Sequence, residues 1–390
     1  MSLIGQTVII AGAGIAGLAA ALALALRGAS VTVLEQADAV REVGAGLQVS
    51  PNGAAVLRAL DLQAGLDAAS MRAEAVQLVD GPTGDPVARL DLGRLRPDQG
   101  YHFLHRADLI DLLLKAATGA GVTLRLLARV ASVDLSGPRP AVLLESGERL
   151  DCGLLVGADG LHSRVRLALN GPEEPFFTRQ VAWRAVIPAE AGAAPVAEVH
   201  MGPGRHLVSY PLRGGTLRNL VAVEERDRWA EESWTLRDDP IDLRLAFQGF
   251  SPRVRGWLDR VEDPWLWGLF RHEVAETWVS PKGVAILGDA AHPTLPFLAQ
   301  GASMGLEDAW VLADCLGRAA AIPSGLAAYQ ARRKPRATRI VAAANANARA
   351  YHLAGLPRLI GHSGLRLLSR LSPGTMISRF DWLYGHDVTR

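Results

Sequence analysis

Gly12, Gly14 and Gly17 spell G-x-G-x-x-G directly behind the β-branched run TVIIAG and ahead of IAGLAAALALALRG, helix formers that Gly28 would stop. That spacing serves phosphate chemistry. A glycine at 12 permits the tight turn from strand to helix, one at 14 lets backbone approach a pyrophosphate, and one at 17 lets helix lie close on sheet, with Ala16 at the helix start whose amides face the phosphates. Glu35 follows the next strand-like run, SVTVL, 18 residues after Gly17. A carboxylate there accepts hydrogen bonds from adenosine ribose hydroxyls, and it favours the unphosphorylated ribose of FAD or NAD over that of NADP. Taken alone the motif leaves FAD and NAD open, and with them an NAD-dependent dehydrogenase or a non-catalytic dinucleotide sensor.

Two later stretches narrow the choice. GADGLHSRVR (157–166) sets Asp159 and Gly160 ahead of Ser163 and Arg166, and GDAAHP (288–293) holds Gly288 and Asp289. In this order, and over nearly the whole chain, the three motifs resemble the class A flavoprotein aromatic hydroxylases, the single-component FAD monooxygenases related to 4-hydroxybenzoate hydroxylase. The resemblance implies an FAD held by Asp289 at its ribityl or ribose chain, by the loop of Asp159, which also serves the nicotinamide, by Arg106 in HRADLIDLLL, and by Arg41 after the second strand. It implies NADH or NADPH as a visiting donor, because no second glycine motif exists. The stretch GDAAHPTLPFLAQGASMGLEDA (288–309) then becomes a flavin cradle. The turn after Asp289 should lie along the flavin while Pro293 and Pro296 keep the chain out of helix. A helix beginning near Gly301 and Ala302 should aim its amides at the pyrimidine end of the ring, where they stabilise the negative charge of reduced flavin.

Within that family, REVGAGLQVSPNGAAVLRALDL and HLVSYPLRGGTLRNLVAV resemble the salicylate and 3-hydroxybenzoate hydroxylase branch, and FLAQGASMGLEDA resembles the 3-hydroxybenzoate 6-hydroxylases. That last likeness rests on Leu298, Ala299 and Gln300, where other branches carry Pro-x-x-Gly-Gln-Gly. The implied cycle reduces FAD, adds O2 at flavin C4a, and transfers OH from the C4a-hydroperoxide to a small phenolic acid. For 3-hydroxybenzoate the product is 2,5-dihydroxybenzoate. Salicylate 1-hydroxylation, or a ubiquinone-type or antibiotic-tailoring hydroxylation of a larger substrate, are the alternatives. Electrophilic OH transfer is fastest to a phenolate, so a base is needed. His206, Tyr210 and Gln300 match substrate-pocket positions of the branch, and His206 and Tyr210 share one strand face by the period of two. A histidine titrates near ~6.5 and a phenol near ~10, so full ground-state transfer costs about 5 kcal/mol. Either Tyr210 and Gln300 stabilise the anion, or proton removal accompanies attack. A histidine in a strand is also a common structural residue, His292 is read as shaping its loop, and Arg184 and Arg213 are unranked partners for the substrate carboxylate.

These residues need a frame. A chain of 390 residues exceeds one ordinary core. Strands separated by helices return after a β-rich middle, so the expected fold is α/β: a discontinuous, Rossmann-like FAD-binding domain of the glutathione-reductase type over 1–75, 101–175 and 276–345. A β-rich substrate domain of short strands would fill 76–100 and 176–275. A C-terminal helical segment would cover 346–390, with Pro335, Pro357 and Pro373 interrupting the last helices. A formal charge of +1 gives no footprint for nucleic acid. Thr7 to Leu26 is uncharged over a membrane-spanning length, but its glycines mark a strand-to-helix turn, so no stable membrane insertion is expected and a cytoplasmic protein is the default. Cys152 and Cys315 suit buried reduced thiols, with no metal spacing. The assembly state stays open, a homodimer among its options.

Overall fold

The computed structural model describes residues 3–40, 45–227 and 236–390; Arg41 lies outside them. The first core is built on a six-stranded sheet in the order 279–280, 284–286, 154–157, 7–11, 30–34, 123–125. All its pairs are parallel except the one at the 279–280 edge. Ile10 sits between Val156 and Val33 and is fully buried. Its apolar strands are covered by the helices Ile15–Ala25, Arg106–Gly119 and Gly301–Arg318. The order has a direct consequence for the site. Strands Val284–Ile286, Leu154–Gly157 and Thr7–Ala11 are adjacent and parallel, so the three motifs that follow them leave the sheet side by side at its carboxyl edge.

A second sheet has seven strands, ordered 265–271, 176–188, 217–225, 205–212, 196–202, 75–80, 86–91. The strands of the middle region are longer than expected: Phe176–Pro188 spans 13 residues. One face, with Val181, Trp183, Leu207 and Leu220, is covered by the short helices Pro240–Ala246 and Pro252–Leu258. The other face carries Ala182, Val221 and Val223, and it packs on Leu295 and Phe297 of the 288–300 turn and on Ala348.

The last helices correct one expectation. Pro335 does not interrupt: a single helix, Ile322–Tyr351, runs through it and through the limit expected at 345. An internal proline costs about 3 kcal/mol or more. Here Tyr329, Arg333, Ala337 and Ile340 around it are all buried, and that packing outweighs the lost backbone bond. Pro357 and Pro373 lie in the first turns of Gly355–Leu371 and Pro373–Ser378, where a missing N–H is harmless. Among the described residues, no helix is long and apolar enough to cross a membrane.

Candidate active site

The glycine loop divides its work among three positions. Gly12 has φ +100°, and a Cβ there would lie 2.4 Å from the carbonyl oxygen of Ala158; a Cβ on Gly17 would lie 2.1 Å from that of Gly12. Both glycines are needed to close strand, loop and helix on one another. At Gly14 a Cβ would meet nothing within 4 Å. That is the side left open for a ligand. Glu35 directly follows the second strand and accepts from the amides of Ala13 (2.9 Å) and Ala37 (3.0 Å), which places its carboxylate against the loop. Ala16 works through its methyl: Cβ atoms on Gly288 and Gly305 would come within 3.0 and 2.9 Å of its own. The glycine-loop helix, the third motif and the helix Gly301–Arg318 therefore meet at Ala16.

Asp159 is occupied within its own motif. Its carboxylate accepts from the Ser163 hydroxyl and from the amides of Arg164 (2.7 Å) and Val165 (3.3 Å), closing the turn into the helix Arg164–Asn170. Arg166 is buried and ties this motif to the next. It donates to the carbonyls of Ala290 (3.2 Å) and Glu273 (2.9 Å) and pairs with Glu173. Asp289 behaves differently. Its side chain reaches solvent, and no described residue donates a hydrogen bond to it. The surrounding protein pushes its carboxyl up, against the pull of His292 and Arg106. A carboxylate left bare in a recess suits the hydroxyls of a ribityl or ribose chain. With the open side of Gly14, it makes the cleft fit FAD.

The 288–300 turn is irregular throughout. It contains two short 3-10 turns, Gly288–Ala290 and Pro296–Leu298, and Ala299 follows in the left-handed region at φ +53°. A polar network holds it from below. The Asp308 carboxylate accepts from the Gly288 amide (3.0 Å), from Arg333 Nε (2.7 Å) and from His292, which packs on the Trp278 ring. Glu307 accepts from Arg333, Arg336 (2.8 Å) and Asn52 (2.7 Å). Burial opposes ionisation of both acids, but the cations beside them hold both below the usual carboxylate range. Gln300 belongs to the same network: its Nε2 donates to Ser50 Oγ (2.8 Å) and its Oε1 accepts from Asn52 (3.0 Å). No side chain caps the helix that starts at Gly301 and Ala302, so its first-turn amides are not spent on a capping group. None of Ser50, Asn52, Glu307, Asp308, Arg333 or Arg336 was singled out by sequence. The available signal was two adjacent acids, Glu307 and Asp308, inside an apolar helix.

Across the cleft, His206 and Tyr210 lie on one face of the strand Arg205–Leu212, both buried. Four residues at 3.3 Å per residue separate them by about 13 Å, with Val208 between. His206 lies beside the turn, its ring 5.2 Å from that of Phe297. Tyr210 packs on Phe103 (5.2 Å) at the other end. Burial drives its phenol upward, against Arg184, Gln48 and Asn219, so it is a hydrogen-bond donor and not an anion. Asn219 pairs with Tyr210 across the strands; its Oδ1 accepts from the Gly46 amide (2.7 Å), and its Nδ2 is buried with no partner among the described residues. Arg184 shares this face, opposite Val221, whereas Arg213 is taken up by Asp108 (2.9 Å) in an exposed ion pair. No hydrogen bond among the described residues joins His206, Tyr210 and Gln300 to one another.

Residues 6–344 match the FAD binding domain family. The chain is 34% identical to a 3-hydroxybenzoate 6-hydroxylase of Klebsiella oxytoca, covering 97% of this chain and 96% of that one. It is 32% identical to a 3-amino-4-hydroxybenzoate 2-monooxygenase of Streptomyces platensis, covering 97% and 95%. The chain belongs to the class A FAD-dependent aromatic hydroxylases. Its fold also matches that of a salicylate hydroxylase solved as a substrate complex, with a TM-score of 0.83 over 98% of this chain and 96% of the other at 23% identity. The hydroxylase is thus an FAD-dependent monooxygenase, and the cleft between the three motifs and the second sheet is its candidate site.

Proposed function

We propose that this hydroxylase converts 3-hydroxybenzoate to 2,5-dihydroxybenzoate, with O2 and NADH or NADPH: one oxygen atom enters the ring, the other leaves as water, and the nicotinamide supplies the two electrons. The observation that carries the reading is the polarity of the strand face. A base, His206, stands at the end beside the 288–300 turn, the donors Tyr210 and the unsatisfied Nδ2 of Asn219 stand at the other, and Arg184 shares the face at the register between them. A benzoate carrying a hydroxyl satisfies both ends, carboxylate on the donors and phenol toward His206. In 3-hydroxybenzoate, attack at the carbon para to that hydroxyl gives the 2,5-dihydroxy product.

Bound FAD supplies the electrophilic oxygen; the chain supplies orientation and proton handling. His206 takes the phenolic proton as OH transfer proceeds, which avoids the cost of a free phenolate. Tyr210 stays protonated and donates. Val208, Val223 and Phe297 line the wall and keep water away from the reacting centre. The test is a panel of 3-hydroxybenzoate, salicylate, 3-amino-4-hydroxybenzoate and a larger apolar phenol, scored by NADH and NADPH consumption and by product regiochemistry. 3-Hydroxybenzoate should give 2,5-dihydroxybenzoate with close to one product per reductant. Preferred turnover of 3-amino-4-hydroxybenzoate, or catechol from salicylate, would replace this assignment.

A further inference from the structure

His206 is closed off from solvent, yet it begins a chain of contacts that reaches it. Its Nδ1 lies 2.7 Å from Nε2 of His352, and Nδ1 of His352 lies 2.6 Å from Oε1 of Glu225. The two histidines are 1% and 7% exposed, whereas the Glu225 side chain is 51% exposed. Three separate elements supply them: the strand Arg205–Leu212, the residue that ends the helix Ile322–Tyr351, and the last residue of the strand Leu217–Glu225. The turn at Gly204 clamps both outer members, donating its amide to the His352 carbonyl (3.2 Å) and accepting from the Glu225 amide (2.9 Å).

The hydrogen-bond directions follow from the end of the chain. A carboxylate only accepts, so Nδ1 of His352 carries its proton and Nε2 is a lone pair. Nδ1 of His206 must then be the donor between the rings. That leaves Nε2 of His206 as the basic nitrogen, and no described residue hydrogen-bonds to it. A histidine that served only to fill space would need neither the second ring nor the acid.

We infer that His206, His352 and Glu225 form a proton relay that presents Nε2 of His206 to the substrate phenol and carries the phenolic proton to solvent. The inference rests on the hydroxybenzoate reading above. The phenol O–H bond breaks as Nε2–H forms on His206, Nδ1–H of His206 passes to Nε2 of His352, Nδ1–H of His352 passes to Glu225, and Glu225 releases a proton to water. No electrons move along the path. The reverse run returns a proton to the product oxygen and restores both rings. Burial holds both imidazoles below their ordinary range; at His352 Glu225 opposes this and Arg205 adds to it, so both start neutral. Around them, Tyr351 and Phe297 present rings to His206, and Arg205 is itself paired with Glu224.

His352 and Glu225 are positioning residues, and the test must separate proton transfer from structure. Glu225→Gln and His352→Asn are compared with the parent as FAD-loaded proteins, in single-turnover hydroxylation from pH 6 to 9 and with proton uptake and release followed by an indicator dye. Both variants should hydroxylate roughly tenfold or more slowly at neutral pH, at unchanged KM, and recover with rising pH and with added imidazole. Glu225→Gln, at a half-exposed site, keeps the comparison valid should His352→Asn fold poorly. A parent-like rate and pH profile in Glu225→Gln overturns the relay, and so does a slowing that neither imidazole nor higher pH repairs. If the parent ignores 3-hydroxybenzoate, the substrate reading fails instead, and the same comparison is run on whichever hydroxybenzoate it does turn over.

Discussion

Gly14 and Gly17 carry the same letter but should fail differently when replaced. Nothing stands within 4 Å of a Cβ on Gly14, so Gly14→Val should fold, with its branched side chain projecting into the space meant for pyrophosphate. The purified variant should be colourless yet melt close to the parent stripped of flavin; stoichiometric flavin in it would mean that the glycine loop faces something else. Gly17→Val drives a carbon into the Gly12 carbonyl and should lose the fold itself. His206→Ala should cut hydroxylation by about 10² or more while substrate still speeds flavin reduction, because reduction needs binding but no base. Gln300 is anchored to Ser50 and Asn52 and away from His206, so Gln300→Ala should act through the turn. It removes two buried hydrogen bonds, costing about 1–3 kcal/mol together, and product formed per NADH should fall as water enters. Coupling equal to the parent's would take Gln300 out of the site.

Among the elements, the 288–300 turn carries backbone strain at one residue. Ala299 holds a left-handed conformation that costs an L-residue roughly 1–2 kcal/mol. Ala299→Gly should relieve more than the added chain entropy takes back, raising the melting temperature by roughly 1–2 °C in a thermal scan. A lower melting temperature would show that the alanine methyl packs better than its backbone suffers. Much at this scale was legible in the sequence. Phosphate binding needs glycines at fixed short spacings, so the glycine loop could be found by inspection, and the Asp159 and Gly288-Asp289 stretches stood out through their resemblance to family motifs. The Glu307–Asp308 network and the pairing of His206 with His352 could not. The latter joins residues 146 apart in sequence, and only the packing of the long helix on the second sheet brings them together. Pro335 failed for the same reason, since local propensity lost to tertiary burial.

At the scale of the whole molecule, seven of the ten histidines are held below their ordinary range chiefly by burial: His102, His105, His206, His272, His352, His362 and His386. The unfolded chain takes up these protons below about pH 6.5 while the native one resists, so stability falls as pH drops from there and is greater above it. Denaturant midpoints should decline between pH 6.5 and 5, before the carboxylates titrate. His102→Gln, which removes one such site, should flatten the slope by up to about 1.4 kcal/mol per pH unit; an unchanged slope would show that His102 takes up its proton equally in the folded and unfolded chain. The helix Ile322–Tyr351 gives a different kind of consequence. At 1.5 Å per residue its stretch from Arg333 to Tyr351 spans about 27 Å, from the Arg333 ion pairs beneath the 288–300 turn to the threshold of His352. One rigid rod thereby fixes the angular phase of two distant sites. Chimaeras made with related hydroxylases should tolerate crossovers in the loops before Ile322 or after Tyr351. A crossover inside the rod that adds or removes one residue would rotate everything beyond it by about 100° and uncouple the two halves of the enzyme.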